Sequence, residues 1–128
     1  DMDRLAWICL GSALGGGARY LISLGALRWL GPGFPYGTLA VNVLGSLLTG
    51  FVMQLALTTT WISPSARLFL TTGVMGGLTT YSAFNYETLR LYADGSLALA
   101  AWNAFLMLVA CFTAGVLGLL LGRLLAGD

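Results

Sequence analysis

The chain has 128 residues, 58% of them apolar and only 9% charged, with 18 glycines and a mean hydropathy of +0.85. Soluble domains carry about 25% charged residues, so this chain lacks the polar surface that water requires and reads as an all-α integral membrane protein. Its charges are six arginines, four aspartates and one glutamate, with no lysine and no histidine. That excludes a histidine triad, a histidine metal site and a two-carboxylate hydrolase, and points away from an enzyme. A net charge of +1 without a basic run leaves no electrostatic footprint for nucleic acid.

A spanning helix needs about 20 mostly apolar residues. Cutting the chain at its prolines and charges gives four such pieces in a single membrane domain, 1–128, with no room for a soluble one. The first runs from about Leu5 to Leu27. It is too long for a signal-peptide core and has no basic cluster ahead of it, so it is read as a retained span. Gly11 and Gly15, four residues apart, predict close helix packing. Arg19 is its one interior charge, with snorkelling to the interface the default reading. Cys9, like Cys111 further on, reads as a small buried hydrophobe.

The second segment, about Gly37 to Leu57, carries Thr38, Asn42, Ser46 and Thr49. At 100° per residue these fall within an arc of about 80°, a polar stripe on one face. Polar side chains in lipid face a partner or an aqueous path. The stripe therefore predicts either interhelical hydrogen bonds or the wall of a pathway, with Asn42 the best candidate because its amide offers two donors.

The third segment, about Ala66 to Tyr92, is predicted to start at Ser63-Pro64, an N-cap followed by a first-turn proline. It holds Thr71-Thr72-Gly73-Val74-Met75-Gly76-Gly77-Leu78-Thr79-Thr80-Tyr81-Ser82-Ala83-Phe84-Asn85-Tyr86-Glu87. Glycine permissiveness and hydroxyl competition for backbone bonds make this a poor continuous helix. A break near residues 76–80 is expected, of the kind tolerated at depth only inside protein or beside a cavity, where released carbonyls can hold a cation. Beyond the break, Tyr81 and Phe84 lie three apart with Thr88 on nearly the same face. They read as a packing pair or as ring edges, partially positive, turned toward an anion. Glu87 is either a vestibule or gate residue or an interfacial carboxylate.

The fourth segment, about Ser96 to Leu125, puts Asn103, Met107, Cys111 and Ala114 on one face, Asn103 being the strong polar signal. Ser46 and Gly50 in the second segment, with Gly118 and Gly122 in the fourth, repeat the small-residue spacing. Trp29, Tyr36, Trp61 and Tyr92 near segment ends suit an aromatic belt. Arg4, Arg67 and Arg123 fall on one side, against Arg28 and Arg90 on the other, joined by Arg19 if it snorkels. So even a balance gives no orientation bias, which predicts dual topology and a functional unit of two antiparallel copies.

These residues resemble the Fluc family of bacterial fluoride channels, also called CrcB, over nearly the whole chain. The resemblance is carried by Gly17-Ala18-Arg19-Tyr20, by Gly37-Thr38-Leu39-Ala40-Val41-Asn42, and most specifically by Thr72 through Phe84 with Glu87 following. It implies an antiparallel homodimer of four-helix subunits in the bacterial plasma membrane, with fluoride pores along the subunit interface. It further implies a central structural Na+ held by backbone carbonyls at Gly76 and Thr79. The family's pore phenylalanines fall on Tyr81 and Phe84, its helix-two asparagine on Asn42, its pore serine on Ser82 and its helix-one arginine on Arg19. Asn103 matches a variable position. Tyr81, Ala83, Ala110 and Cys111 depart from the usual phenylalanine, threonine, glycine and serine, which removes or moves hydroxyl ligands.

The expected activity is passive fluoride efflux. A small multidrug-type transporter is the main rival, but it needs a carboxylate in its first helix and none lies between Leu5 and Leu27. A noncatalytic assembly subunit would explain the small-residue spacings but not the polar stripe.

Overall fold

In lipid, a spanning segment must satisfy its own backbone N–H and C=O groups, and for apolar runs of this length the helix does so. The structure is a computed structural model that describes residues 1–127, and every regular element among them is helical. Helix α1 spans Met2–Leu30 and α2 spans Tyr36–Thr58. Next, α3 (Pro64–Leu68) continues into π-helical turns over Phe69–Met75 and then α4 (Gly76–Leu78). Thr79 and Thr80 are extended, and α5 (Tyr81–Ala93) and α6 (Leu97–Ala126) complete the chain.

Helices α1, α2 and α6 are each long and apolar enough to cross a membrane. Helices α1 and α2 outrun the apolar segments cut from the sequence, and α6 matches its segment in length, shifted by one residue. The 29 residues of α1 include Asp3, Arg4 and Arg28. At about 1.5 Å per residue the helix reaches roughly 44 Å, against a hydrocarbon core of about 30 Å. The charged ends thus have the length to reach the headgroups.

Local signals set the ends. The Ser63 hydroxyl accepts from the Ala66 N–H at 3.1 Å with Pro64 in the first helical position, as the Ser-Pro pair predicts. Gly31 after α1 and Gly95 between α5 and α6 have positive φ, where a side chain would be strained.

Helices in lipid gain little from burying apolar surface against each other, so small residues that let backbones approach decide the packing. Gly11 and Gly15 of α1 lie against the π-helical turns. A Cβ on Gly11 would stand 2.6 Å from the Phe69 carbonyl oxygen, and one on Gly15 would overlap that of Val74. Gly77 in turn rests on the Ser12 carbonyl, and α2 meets α6 where Gly50 faces the Gly115 carbonyl and Gly118 that of Leu47. A small core of Val41, Met75 and Leu78, flanked by Ala18, Ile22 and Leu48, joins α1, α2 and the π–α4 run. Large apolar side chains of α6, among them Leu108, Phe112 and Leu124, point outward.

Candidate functional site: a groove at the broken segment

The interruption at Thr79 and Thr80 is built jointly by its own residues and by two neighbouring helices. Thr79 keeps the last bonds of the preceding turn, its N–H and hydroxyl reaching the Met75 carbonyl at 3.0 and 2.8 Å. The Thr80 N–H would close an α-helical bond onto the Gly76 carbonyl, but it donates instead to Asn42 Oδ1 at 2.8 Å. Asn42 Nδ2 returns a bond to the Thr80 carbonyl at 3.0 Å. One amide side chain therefore satisfies both polar groups of a single residue's backbone, as a neighbouring strand would.

Thr80 also starts the next helix, because its hydroxyl accepts from the Ala83 N–H at 3.2 Å as an N-cap. The Ala83 N–H is thereby diverted from the Thr79 carbonyl, its α-helical acceptor. Arg19 Nε donates to the Gly77 carbonyl at 3.0 Å. The default reading of Arg19 as a snorkelling residue is corrected here: the end of α4 offers an orphan carbonyl and a negative dipole end within reach, and the guanidinium is held there. The carbonyls of Gly76 and Thr79 have lost their helical donors to Asn42 and to the Thr80 hydroxyl. Gly76 itself is exposed.

Beside the break runs an open groove of about 930 Å³ between α2, α5 and α6. Asn42, Ser46 and Thr49 line it from α2, Thr79 and Thr80 from the break, Tyr81 and Phe84 from α5, and Met107 and Cys111 from α6. Its described lining residues include no charged side chain. Tyr81 and Phe84 meet edge to face, centroids 5.6 Å apart at 70°, with Tyr81 76% exposed. Three of the four stripe residues thus share one wall.

Thr38 does not lie in the groove. It is buried at the base of a second pocket of about 420 Å³, walled by Ser23, Tyr36, Glu87, Arg90 and Asp94 under the loop after α1. Thr38 and Glu87, far apart in sequence, are brought together there. Arg90 leans on the Tyr86 hydroxyl at 3.3 Å and Asp94 at 4.0 Å. Ser82 lies outside both spaces, exposed, with its hydroxyl 3.3 Å from that of Thr80. Asn103 is 1% exposed and lines neither space, packed between α5 and α6. Its Nδ2 donates to the Thr88 hydroxyl at 2.9 Å, which donates to the Phe84 carbonyl at 2.7 Å. That chain of donors fixes the amide orientation and leaves Asn103 Oδ1, like Glu87 Oε1, buried without a partner within the described protein.

Sequence reasoning missed the part played by Thr80, although the hydroxyl three residues before Ala83 is an N-cap signal. It also gave no weight to Met107, whose sulfur receives the Asn42 amide at 3.5 Å and the Cys111 thiol at 3.6 Å.

The fold and this groove define a small, all-helical, multi-pass membrane protein whose polar groups gather around an interrupted segment. Residues 6–119 match the family described as CrcB-like protein, Camphor Resistance (CrcB). The chain belongs to the CrcB family. Among its relatives is a protein of Anaeromyxobacter sp. (strain K) named "Fluoride-specific ion channel FluC", 54% identical over 98% of this chain and 100% of the relative. Proteins of the same name from Sorangium cellulosum (strain So ce56) and Clostridium perfringens (strain 13 / Type A) are 52% and 47% identical, over 98% and 91% of this chain and 100% and 91% of their own lengths.

Proposed function

We propose that the chain is a fluoride-specific ion channel of a bacterial plasma membrane, lowering cytoplasmic fluoride by passive efflux. The observation that carries the reading is the groove, in which an amide, hydroxyls and two aromatic rings converge with no charged group among the described lining residues. Fluoride is small and holds its water tightly. Hydroxyls of Ser46, Thr49 and Thr80, together with the Asn42 N–H that rests weakly on the Met107 sulfur, can replace part of that shell, and the edges of Tyr81 and Phe84 supply diffuse positive potential. Conduction needs several weak sites rather than one deep one, and neutral donors spaced along α2 meet that need. The Thr38–Glu87 pocket serves as the mouth. A negative interior drives a monovalent anion outward with about 2.3 kcal/mol per 100 mV.

In this reading the third span is the interrupted run from Pro64 to Ala93, making four spans per chain. A second, antiparallel copy covers the groove. Two features support that closure: the near-equal arginines on the two sides, and the exposure of Ser82, Asn85 and Tyr81 in a stretch that lipid would not accommodate. A structural Na+ fits the break, since the Gly76 and Thr79 carbonyls have lost their helical donors while Gly76 faces outward. Those two carbonyls would hold it, and the ion would supply fixed positive charge near the pathway.

Fluoride efflux from liposomes holding the purified protein tests the reading. Efflux that follows the membrane potential and needs no proton gradient is expected; no efflux, or efflux only with a proton gradient, overturns it. Labelling from each side of the membrane tests the orientation, and a single orientation in every copy overturns the antiparallel pair.

A further inference from the structure

Cys111 and Met107 lie one turn apart on α6, both lining the groove, with the thiol Sγ 3.6 Å from the thioether Sδ. Their pairing follows from the i, i+4 geometry of a helix face. Asn42 Nδ2 approaches the same Sδ at 3.5 Å. A half-buried thiol beside a thioether, in an open groove without a carboxylate in its described lining, is a donor set for one class of ligand. Thiolate and thioether sulfur select soft monovalent cations such as Cu+ over hard ones.

We propose that the Met107–Cys111 pair is a capture site for soft monovalent cations, and that a cation held there obstructs the groove. Capture breaks the Cys111 S–H bond and releases the proton to water. One metal–thiolate bond forms, the Met107 thioether adds its lone pair as second donor, and no electrons are exchanged. Met107 turns on three single bonds, so its sulfur can open from the present spacing to admit the ion. The bound ion then stands beside Asn42 within the groove. Binding rests on the sulfur pair alone, whereas obstruction of fluoride passage rests on the pathway reading above.

Ag+ as the nitrate, in chloride-free buffer, is the redox-inert probe. The background is Cys9→Ser, which removes the exposed thiol of α1. Titration calorimetry on the full chain in detergent should show one tight site per chain in that background and none after a further Cys111→Ser. Met107→Leu, which conserves volume and so keeps the fold, should weaken binding at least tenfold. Unchanged affinity in Met107→Leu, or undiminished binding in Cys111→Ser, overturns the two-sulfur site.

In liposomes, silver should cut fluoride efflux at least tenfold in the Cys9→Ser background. The ratio of efflux with and without silver should return to near one when Cys111→Ser is added. Silver bound at one per chain with undiminished efflux overturns the obstruction. Absence of efflux before silver is added overturns the channel reading instead and leaves the calorimetric result standing.

Discussion

Replacing Asn42 by alanine should loosen the backbone at the break in a measurable way. The substitution removes the 2.8 Å bond from the Thr80 N–H and the 3.0 Å bond to the Thr80 carbonyl. A buried polar group left unpaired costs about 1–3 kcal/mol. Thr80 is half-buried, so the lower end applies to each group and the pair comes to about 2–3 kcal/mol. The share at the amide alone, about 1.4 kcal/mol, corresponds to roughly tenfold in its opening equilibrium. Hydrogen exchange over a peptide covering residues 76–82 should therefore run about ten times faster in Asn42→Ala. Asn42→Asp divides the two bonds: one carboxylate oxygen still accepts from the Thr80 N–H, while the other faces the Thr80 carbonyl as acceptor against acceptor. It should keep most amide protection and yet stop fluoride efflux, because a fixed negative charge then stands in the groove. Parental exchange in Asn42→Ala would refute the clamp, and robust efflux in Asn42→Asp would reduce the stripe to packing.

Phe84→Ile should abolish or strongly reduce fluoride efflux while the protein remains folded by circular dichroism, since an aliphatic side chain has no polarised edge; unchanged efflux removes the ring-edge argument. Gly15→Ala drives a methyl into the Val74 carbonyl and should destabilise by about 1–3 kcal/mol, lowering the melting temperature in detergent, whereas Gly16→Ala, with open space beside it, should leave it unchanged. Arg19→Gln exchanges a charged donor at the Gly77 carbonyl for a neutral one and should cost about 1 kcal/mol, read as a fall in melting temperature together with faster exchange in the 76–82 peptide. Reconstitution with N-methylglucamine in place of Na+ should lower both melting temperature and efflux if the Gly76 and Thr79 carbonyls hold the ion, and sodium-independent behaviour in both measurements would dismiss the site.

Much of the architecture could be read without coordinates because lipid enforces simple rules. Apolar length marked α1, α2 and α6, and the small residues at Gly11, Gly15, Gly50 and Gly118 marked where backbones touch. The stripe of α2 was legible as periodicity, which says that Asn42, Ser46 and Thr49 share a face but not what they face. Arg19 was misjudged because snorkelling is a property of one helix and its environment, whereas the Gly77 carbonyl that holds it belongs to another element 58 residues away. Thr38 separates from the rest of its stripe because the loop after α1 and the end of α5 close over it, a tertiary fact with no periodic signature. Cys111 reads as a small buried hydrophobe and Met107 only as a residue on the same face, since sulfur carries no strong polarity and only their proximity in the groove makes them a pair.

The amide clamp at Thr80 also bears on the order in which the molecule assembles. The donor and acceptor that hold the chain extended there reside on α2, so a fragment covering residues 64–93 alone lacks the template for its own interruption. Such a peptide would keep the Thr80 cap but lose the partner that competes with the Gly76 carbonyl for the Thr80 amide. The shape of the third segment is thus a consequence of docking, acquired only once α2 is alongside.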